Sequence, residues 1–297
     1  MRMQQAKQVI PDFPAPGDAF QLFLGDPEAF PRQARDLIPP AGSGSAPGSP
    51  LPGGHVWKTC CSGDPRANQN PFSNKTWDTC AVVGNGGILT NSSCGNVIDS
   101  AQFVIRCNLP PVDNGYGKHV GVKTDLVTAN PSIFTQNYEA LTGRRRPFVK
   151  RLHTYGNSLL LLPAFSYTSD TDVSLRAFYT IEESDSPIRP VFLNPEYFQS
   201  LLLFWRSQGL YKGQLSTGIT MVSLALELCK DVHLYGFWPF STHPFSFHNL
   251  TNHYFDNKQP KFIVHAMPTE FELLLQLHSQ GVLRLHLGDC QPAQNVI

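Results

Sequence analysis

Ala81-Val82-Val83 is a run of small apolar residues that passes directly into Gly84-Asn85-Gly86-Gly87. A buried strand ending in a glycine-rich turn brings backbone close to a nucleotide or phosphate. The dinucleotide fingerprint GxGxxG needs a third glycine where Leu89 stands. Binding of a nicotinamide dinucleotide is therefore not the expected chemistry, and the turn points to another nucleotide-like ligand.

From Cys80 onward, strand-like apolar runs alternate with helical ones, which implies an α/β layer architecture. Asn194-Pro195 followed by EYFQSLLLFWRSQ and Gly209 carries a helix cap, a first-turn proline and a stop. Leu215-Ser216-Thr217-Gly218 leads into the apolar helix ITMVSLALELC and then a strand, Val232 to Phe237. Pro268 to Gln280 predicts a helix, stopped by Gly281, and Val282 to Leu287 a final strand. Residues 1–57 are rich in Pro, Gly and Ser and predict a flexible, stem-like segment without a core, leaving 58–297 for one folded domain.

Lys+Arg and Asp+Glu balance at 23 each, so net charge calls for neither nucleic acid nor an anionic membrane. Seven cysteines are many for a cytosolic enzyme, and no C-x-x-C pair suggests zinc. With the acceptor triplets at Asn74, Asn91 and Asn249 they favour a secretory-pathway lumen.

The glycine turn does not stand alone. Arg106-Cys107-Asn108, the Lys123-Thr124-Asp125 turn and Asn130-Pro131-Ser132 follow within about fifty residues. Together they resemble the large sialylmotif of animal sialyltransferases, and GNGGIL, RCNLPP and VTANPSI look like the α-2,8 branch. LSTGITMVSLALELCKDVHLYGF resembles the small sialylmotif. His253-Tyr254-Phe255-Asp256 resembles the short third motif, and His265 with Glu270 the last one.

The resemblance implies a single Rossmann-like α/β domain, a variant of the GT-A glycosyltransferase architecture, with a mostly parallel central sheet flanked by helices. It implies CMP-sialic acid as donor, bound by Asn85, Asn108, Ser216, Thr217, Gly218, Trp238 and His253. Without that context, Ser216 or Thr217 would read as a simple helix cap and Trp238 as core packing. As a helix start, however, Ser216–Gly218 is also a natural anion site. His265 is the candidate catalytic base, because histidine ordinarily titrates near neutral pH. Glu270 either orients it or only favours the helix dipole. The resemblance pairs Cys80 with Cys229 and Cys94 with Cys290, each worth roughly 4–5 kcal/mol on the chain-entropy model. Cys107 is then a buried thiol, and Cys60 and Cys61 have no assignment.

Asp170-Thr171-Asp172 resembles a metal-holding Asp-x-Asp, but it lies in a polar stretch, SYTSDTDVS, that reads as a surface loop. CMP-sialic acid has one phosphate, so neither a metal nor a resident cofactor is expected. The implied acceptor is a sialylated glycolipid or glycoprotein glycan, extended by one or a few α-2,8-linked residues. Cys60 to Thr79 carries only Arg66 and Lys75, too little charge to track an anionic polymer. The rival readings are a sialyltransferase of other linkage, such as α-2,6 to N-acetylgalactosamine, and a homologue that binds without turnover. The family's Golgi placement rests on an N-terminal membrane helix. No stretch here is long and apolar enough to supply one, so a truncated chain or an alternative start is expected. Homo-oligomerisation is left open.

Overall fold

The computed structural model describes residues 72, 75–211, 213–259 and 265–290. The expected stem (1–57), Cys60, Cys61 and Asn74 lie outside them.

The sheet has the strands β1 (Trp77–Val83), β2 (Phe103–Arg106), β3 (Leu126–Thr128), β4 (Leu159–Leu162), β5 (Arg189–Phe192), β6 (Cys229–Tyr235) and β7 (Arg284–His286). Their order is β5-β4-β3-β2-β1-β6-β7, and every pairing is parallel. The described sheet is thus wholly parallel, where the sequence implied mostly parallel. Parallel strands need crossovers, and helices supply them: α1 (Gly95–Asp99), α2 (Gly117–Val120), α3 (Pro131–Tyr138), α4 (Arg145–Leu152), α5 (Thr168–Glu182), α6 (Pro195–Ser207), α7 (Thr217–Leu228) and α8 (Met267–Ser279).

Alternation along β1 assigns the two faces. Cys80 and Val82 join a core with Leu201, Trp205, Ile219, Val222 and Leu274, drawn from α6, α7 and α8. Ala81 and Val83 join the opposite core with Ile98, Phe134, Phe148 and Ala177, drawn from α1, α3, α4 and α5. A strand buried on both sides reads as a continuous apolar run, which is why AVV was legible. The predicted helix ends hold to within a residue or two: Asn194 caps α6 by accepting from Glu196 N, and Pro195 opens it. Asp170 and Asp172 lie near the start of α5, not in a loop. Residues that favour turns also favour the first turn of a helix, and the two are hard to separate by composition.

Cys80 bonds to Cys229, joining the neighbouring strands β1 and β6, and Cys94 bonds to Cys290, fastening the chain after β7 beside α1. Cys107 is a buried free thiol, pushed up to about 12 by burial. Arg106 is fully buried at the end of β2. Its guanidinium donates to Lys123 O, Val120 O and Thr124 Oγ1 at 2.8–3.0 Å and lies 3.6 Å from Asp99. This residue of the large motif organises the 120–124 turn. A buried cation is tolerable only when its donors are met in this way. Among the described residues, no helix is long and apolar enough to cross a membrane.

Where α6 meets α7, the Tyr197 hydroxyl donates to Glu227 Oε1 at 2.8 Å. Burial raises the Glu227 carboxyl to about 8, against a smaller opposing effect of that hydrogen bond. Its folded-state value lies above the unfolded one, so its contribution to stability is full below about pH 4.5 and is lost as pH rises through about 8. The thermal unfolding midpoint of the parent should therefore fall further between pH 5 and 9 than that of Glu227→Gln, which keeps an acceptor for Tyr197 but cannot ionise. Parallel pH profiles would show that Glu227 does not titrate in this range.

Candidate active site

The strand order reverses at β1, which has β2 on one side and β6 on the other. In parallel sheets the crevice beyond the strand ends at such a point is where ligands bind. Two turns meet there. Gly84 N donates to Tyr235 O at 2.8 Å and Gly86 N to Gly236 O at 3.0 Å. A Cβ on Gly84 or Gly86 would stand 2.8 or 2.6 Å from Gly236 O. One on Gly236, at φ +75°, would stand 2.7 Å from Gly84 O. A glycine-rich turn after a strand suits the close approach of a ligand. The structure gives these glycines a further role, to let the turns after β1 and β6 pack backbone on backbone.

Asn85 projects from this turn. Its Nδ2 donates to Cys107 O at 2.8 Å, while its Oδ1 is buried without a partner. A buried amide oxygen left unpaired is costly, and a ligand N–H or O–H would relieve it. Asn108 adopts φ +67° after β2, and its backbone N–H donates to Thr128 Oγ1 at 2.9 Å. Its side chain accepts from that hydroxyl (3.2 Å) and reaches Thr217 Oγ1 at 3.4 Å. Thr217 in turn donates to Asn130 Oδ1 at 3.0 Å. Side chains from the ends of β2 and β3 thus fix the first turn of α7, whose leading N–H groups have no intrahelical acceptor. The structure brings Asn108, Thr217 and Asn130 into one network, in which Asn130 was not foreseen as a site residue. From sequence it stood only as part of the Asn130-Pro131-Ser132 stretch of the large-motif resemblance.

Ser216 caps α7, its hydroxyl accepting from Ile219 N at 3.2 Å. It is itself held by Glu270 of α8, which accepts from Ser216 N at 2.9 Å and from the Ser216 hydroxyl. Burial pushes the Glu270 carboxyl up, while the two bonds from Ser216 and the nearby His265 pull it down less strongly. Glu270 stands in the first turn of α8, where it favours the helix dipole, and its oxygens also anchor the cap of α7, a role the sequence did not suggest. No pattern in the sequence connects residues 54 positions apart.

His265 lies just ahead of α8, its Nδ1 2.8 Å from Gln214 O. Facing a carbonyl, Nδ1 must carry the proton, which leaves Nε2 as the basic nitrogen. His253 pairs with Gly86 through an isolated antiparallel bridge, which sets it beside the glycine turn. Its Nδ1 is 2.6 Å from Asp256 Oδ2. Burial acts to raise the Asp256 carboxyl, but hydrogen bonds from His253 and Lys258 hold it below the ordinary range. Trp238 donates its indole N–H to Thr242 O at 2.8 Å and packs on Phe240 and Phe271. Its polar atom is taken, so only its ring edge or face remains for a ligand. Gly218 abuts Phe237, 3.0 Å from where a Cβ would stand. Asn91 and Asn249 are exposed. Among the described residues no group of three or more His, Cys, Asp or Glu side chains could hold a metal ion.

Residues 56–282 match the family described as Glycosyltransferase family 29 (sialyltransferase). The chain belongs to this family. It is 48% identical over 220 residues to human Alpha-2,8-sialyltransferase 8E, covering 74% of this chain and 58% of that protein. It is 47% identical over 223 residues to human Alpha-2,8-sialyltransferase 8F, covering 75% and 56%. The chain spans less than two thirds of the length of these relatives. The crystal structure of a mammalian sialyltransferase is 26% identical, covering 71% of this chain and 70% of that one, at a TM-score of 0.49. As a member of family 29, the chain has its four motifs meeting at one end of the sheet. The large motif supplies the glycine turn, Asn108 and Asn130. The small motif supplies α7 and Gly236, the third motif flanks the glycine turn, and the last flanks Ser216.

The contact between the glycine turns gives a graded test. Gly236→Ala combines a left-handed backbone with overlap against Gly84, and should cost at least about 2 kcal/mol. Gly209→Ala, at φ +100° with nothing within 4 Å of the added carbon, should cost about 1 kcal/mol. Equal unfolding midpoints for the two variants would show that the turns can separate freely.

Proposed function

We propose that the chain is an inverting sialyltransferase. It moves sialic acid from CMP-sialic acid to a terminal sialic acid of a glycolipid or glycoprotein glycan, forming an α-2,8 linkage in the Golgi lumen. The observation that carries the reading is the network by which Asn108 and Asn130 hold Thr217 in the first turn of α7, with His265 beside its lead-in. The linkage is supported by identity near one half to relatives named for it.

The donor's phosphate fits the first turn of α7, where unpaired N–H groups and the helix dipole favour an anion. Asn85 Oδ1, buried and unpartnered, fits a donor N–H or O–H. The acceptor oxygen attacks the anomeric carbon from the face opposite the departing phosphate. The new C–O bond forms as the bond to the CMP oxygen breaks, and CMP leaves with that electron pair. The acceptor's proton passes to Nε2 of His265, while Nδ1–H stays on Gln214 O and fixes the ring. In its protonated form His253 is paired with Asp256 and offers positive charge near the glycine turn, where it would offset the charge developing on CMP. None of these roles calls for a metal.

His265→Ala should lower CMP release in the presence of a sialylated acceptor by about a thousandfold, while CMP binding measured by calorimetry stays within a few-fold of the parent. Turnover near the parent rate in that variant would remove His265 from the chemistry.

A further inference from the structure

The segment between β6 and α8 carries a surface that the transfer chemistry does not use. Residues 232–255 contain no Lys, Arg, Asp or Glu, in a chain that is 15% charged overall. Within this stretch Phe240, Phe245 and Phe247 are 38%, 66% and 77% exposed. An isolated phenylalanine on a surface needs no explanation, but several on one uncharged loop do.

The loop is ordered. Thr242 and Asn249 form an antiparallel bridge. Leu250 N donates to Ser241 O at 2.7 Å and His243 N to His248 O at 2.9 Å. The His243 and His248 rings stack at 4.9 Å. Phe247 sits at φ +58°, a backbone strain that a bulky residue adopts only when its surroundings impose it. Three polar atoms of the tip are engaged within the loop. His243 Nδ1 accepts from the N–H groups of Phe245 and Ser246 at 3.2 Å each, and Ser246 Oγ bonds His248 Nδ1 at 2.8 Å. Outward, the hairpin carries the Phe245 and Phe247 rings among exposed Ser241, Thr242, Ser246, His248 and Asn249, with no Lys, Arg, Asp or Glu. Its base is tied to the cleft, because Thr242 O receives the Trp238 indole N–H at 2.8 Å.

An anionic membrane would call for lysine or arginine. Uncharged aromatic tips on a rigid hairpin match the interfacial zone of a neutral bilayer. We propose that the hairpin Pro239–Leu250 is a lipid-surface contact: Phe245 and Phe247 seat in a neutral membrane and hold the cleft at the height of a glycolipid headgroup. The choice of a lipid-borne acceptor rests on the sialyl-transfer reading; the membrane contact itself does not.

The test uses the full chain and its Phe245→Ser/Phe247→Ser variant, both with N-glycans trimmed so that a sugar at Asn249 does not mask the tip. Sedimentation with phosphatidylcholine vesicles, without donor or acceptor, should show the variant's partitioning reduced by about tenfold or more. Unfolding midpoints should match, since both side chains are mostly exposed. CMP release with a free sialylated trisaccharide should be unchanged in the variant, and release with the same glycan on ceramide in vesicles should fall several-fold. A parent that does not bind the vesicles, or a variant that binds as well as the parent, overturns the proposal. An equal loss on free and lipid-borne glycan would also overturn it, and would make the tip a sugar-binding element. If neither protein releases CMP, the sialyl-transfer reading fails, while the vesicle result still decides the hairpin's role.

Discussion

The site depends on the close approach of two backbone turns, one after β1 and one after β6. Gly84 and Gly86 meet Gly236 with no room for a Cβ on any of the three. Two hydrogen bonds from the first turn to the second fix the separation. Because the strands on either side are parallel and the order reverses here, this contact also sets the floor of the crevice beyond the sheet. Three of the candidate donor residues are placed relative to it: Asn85 within the first turn, His253 bridged to Gly86, and Gly218 packed on Phe237 just after Gly236.

Above that floor, polar side chains position the start of α7. The network of Asn108, Thr128, Thr217 and Asn130 ties it to the ends of β2 and β3, and Glu270 ties its cap to α8. The helix terminus is therefore held from both sides, by strands of the large motif and by the helix of the last one. The bond between Cys80 and Cys229 crosslinks β1 and β6, the strands that carry the two glycine turns. Together these contacts fix the first turn of α7, so under the proposed function less has to be ordered when the donor arrives.

Much of the architecture was legible in the sequence because its signals are local. The AVV run marked a strand buried on both faces, and Asn194-Pro195 and Ser216 marked helix starts that the structure places where expected. The two disulfides implied by the resemblance are present. What was missed depends on residues far apart in the chain. The packing of the glycine turn on Gly236 was not legible, because that partner lies some 150 residues on. The bonds from Ser216 to Glu270 span 54 positions, so they had no local signal, unlike the nearness of Glu270 to His265. Asp170 looked like loop because Ser, Thr and Asp suit both a loop and the first turn of a helix. Tertiary context decided each case.

The central claim is that the first turn of α7, fixed by Thr217 against the ends of β2 and β3, is the seat of the nucleotide phosphate. Calorimetric titration of CMP into the parent and into Thr217→Val tests it directly, with the unfolding midpoint as a control for folding. The substitution removes the hydroxyl that links Asn108 to Asn130 and leaves the side chain's shape nearly intact. The account predicts CMP affinity weakened by about tenfold. Unchanged affinity in a folded Thr217→Val protein would contradict it.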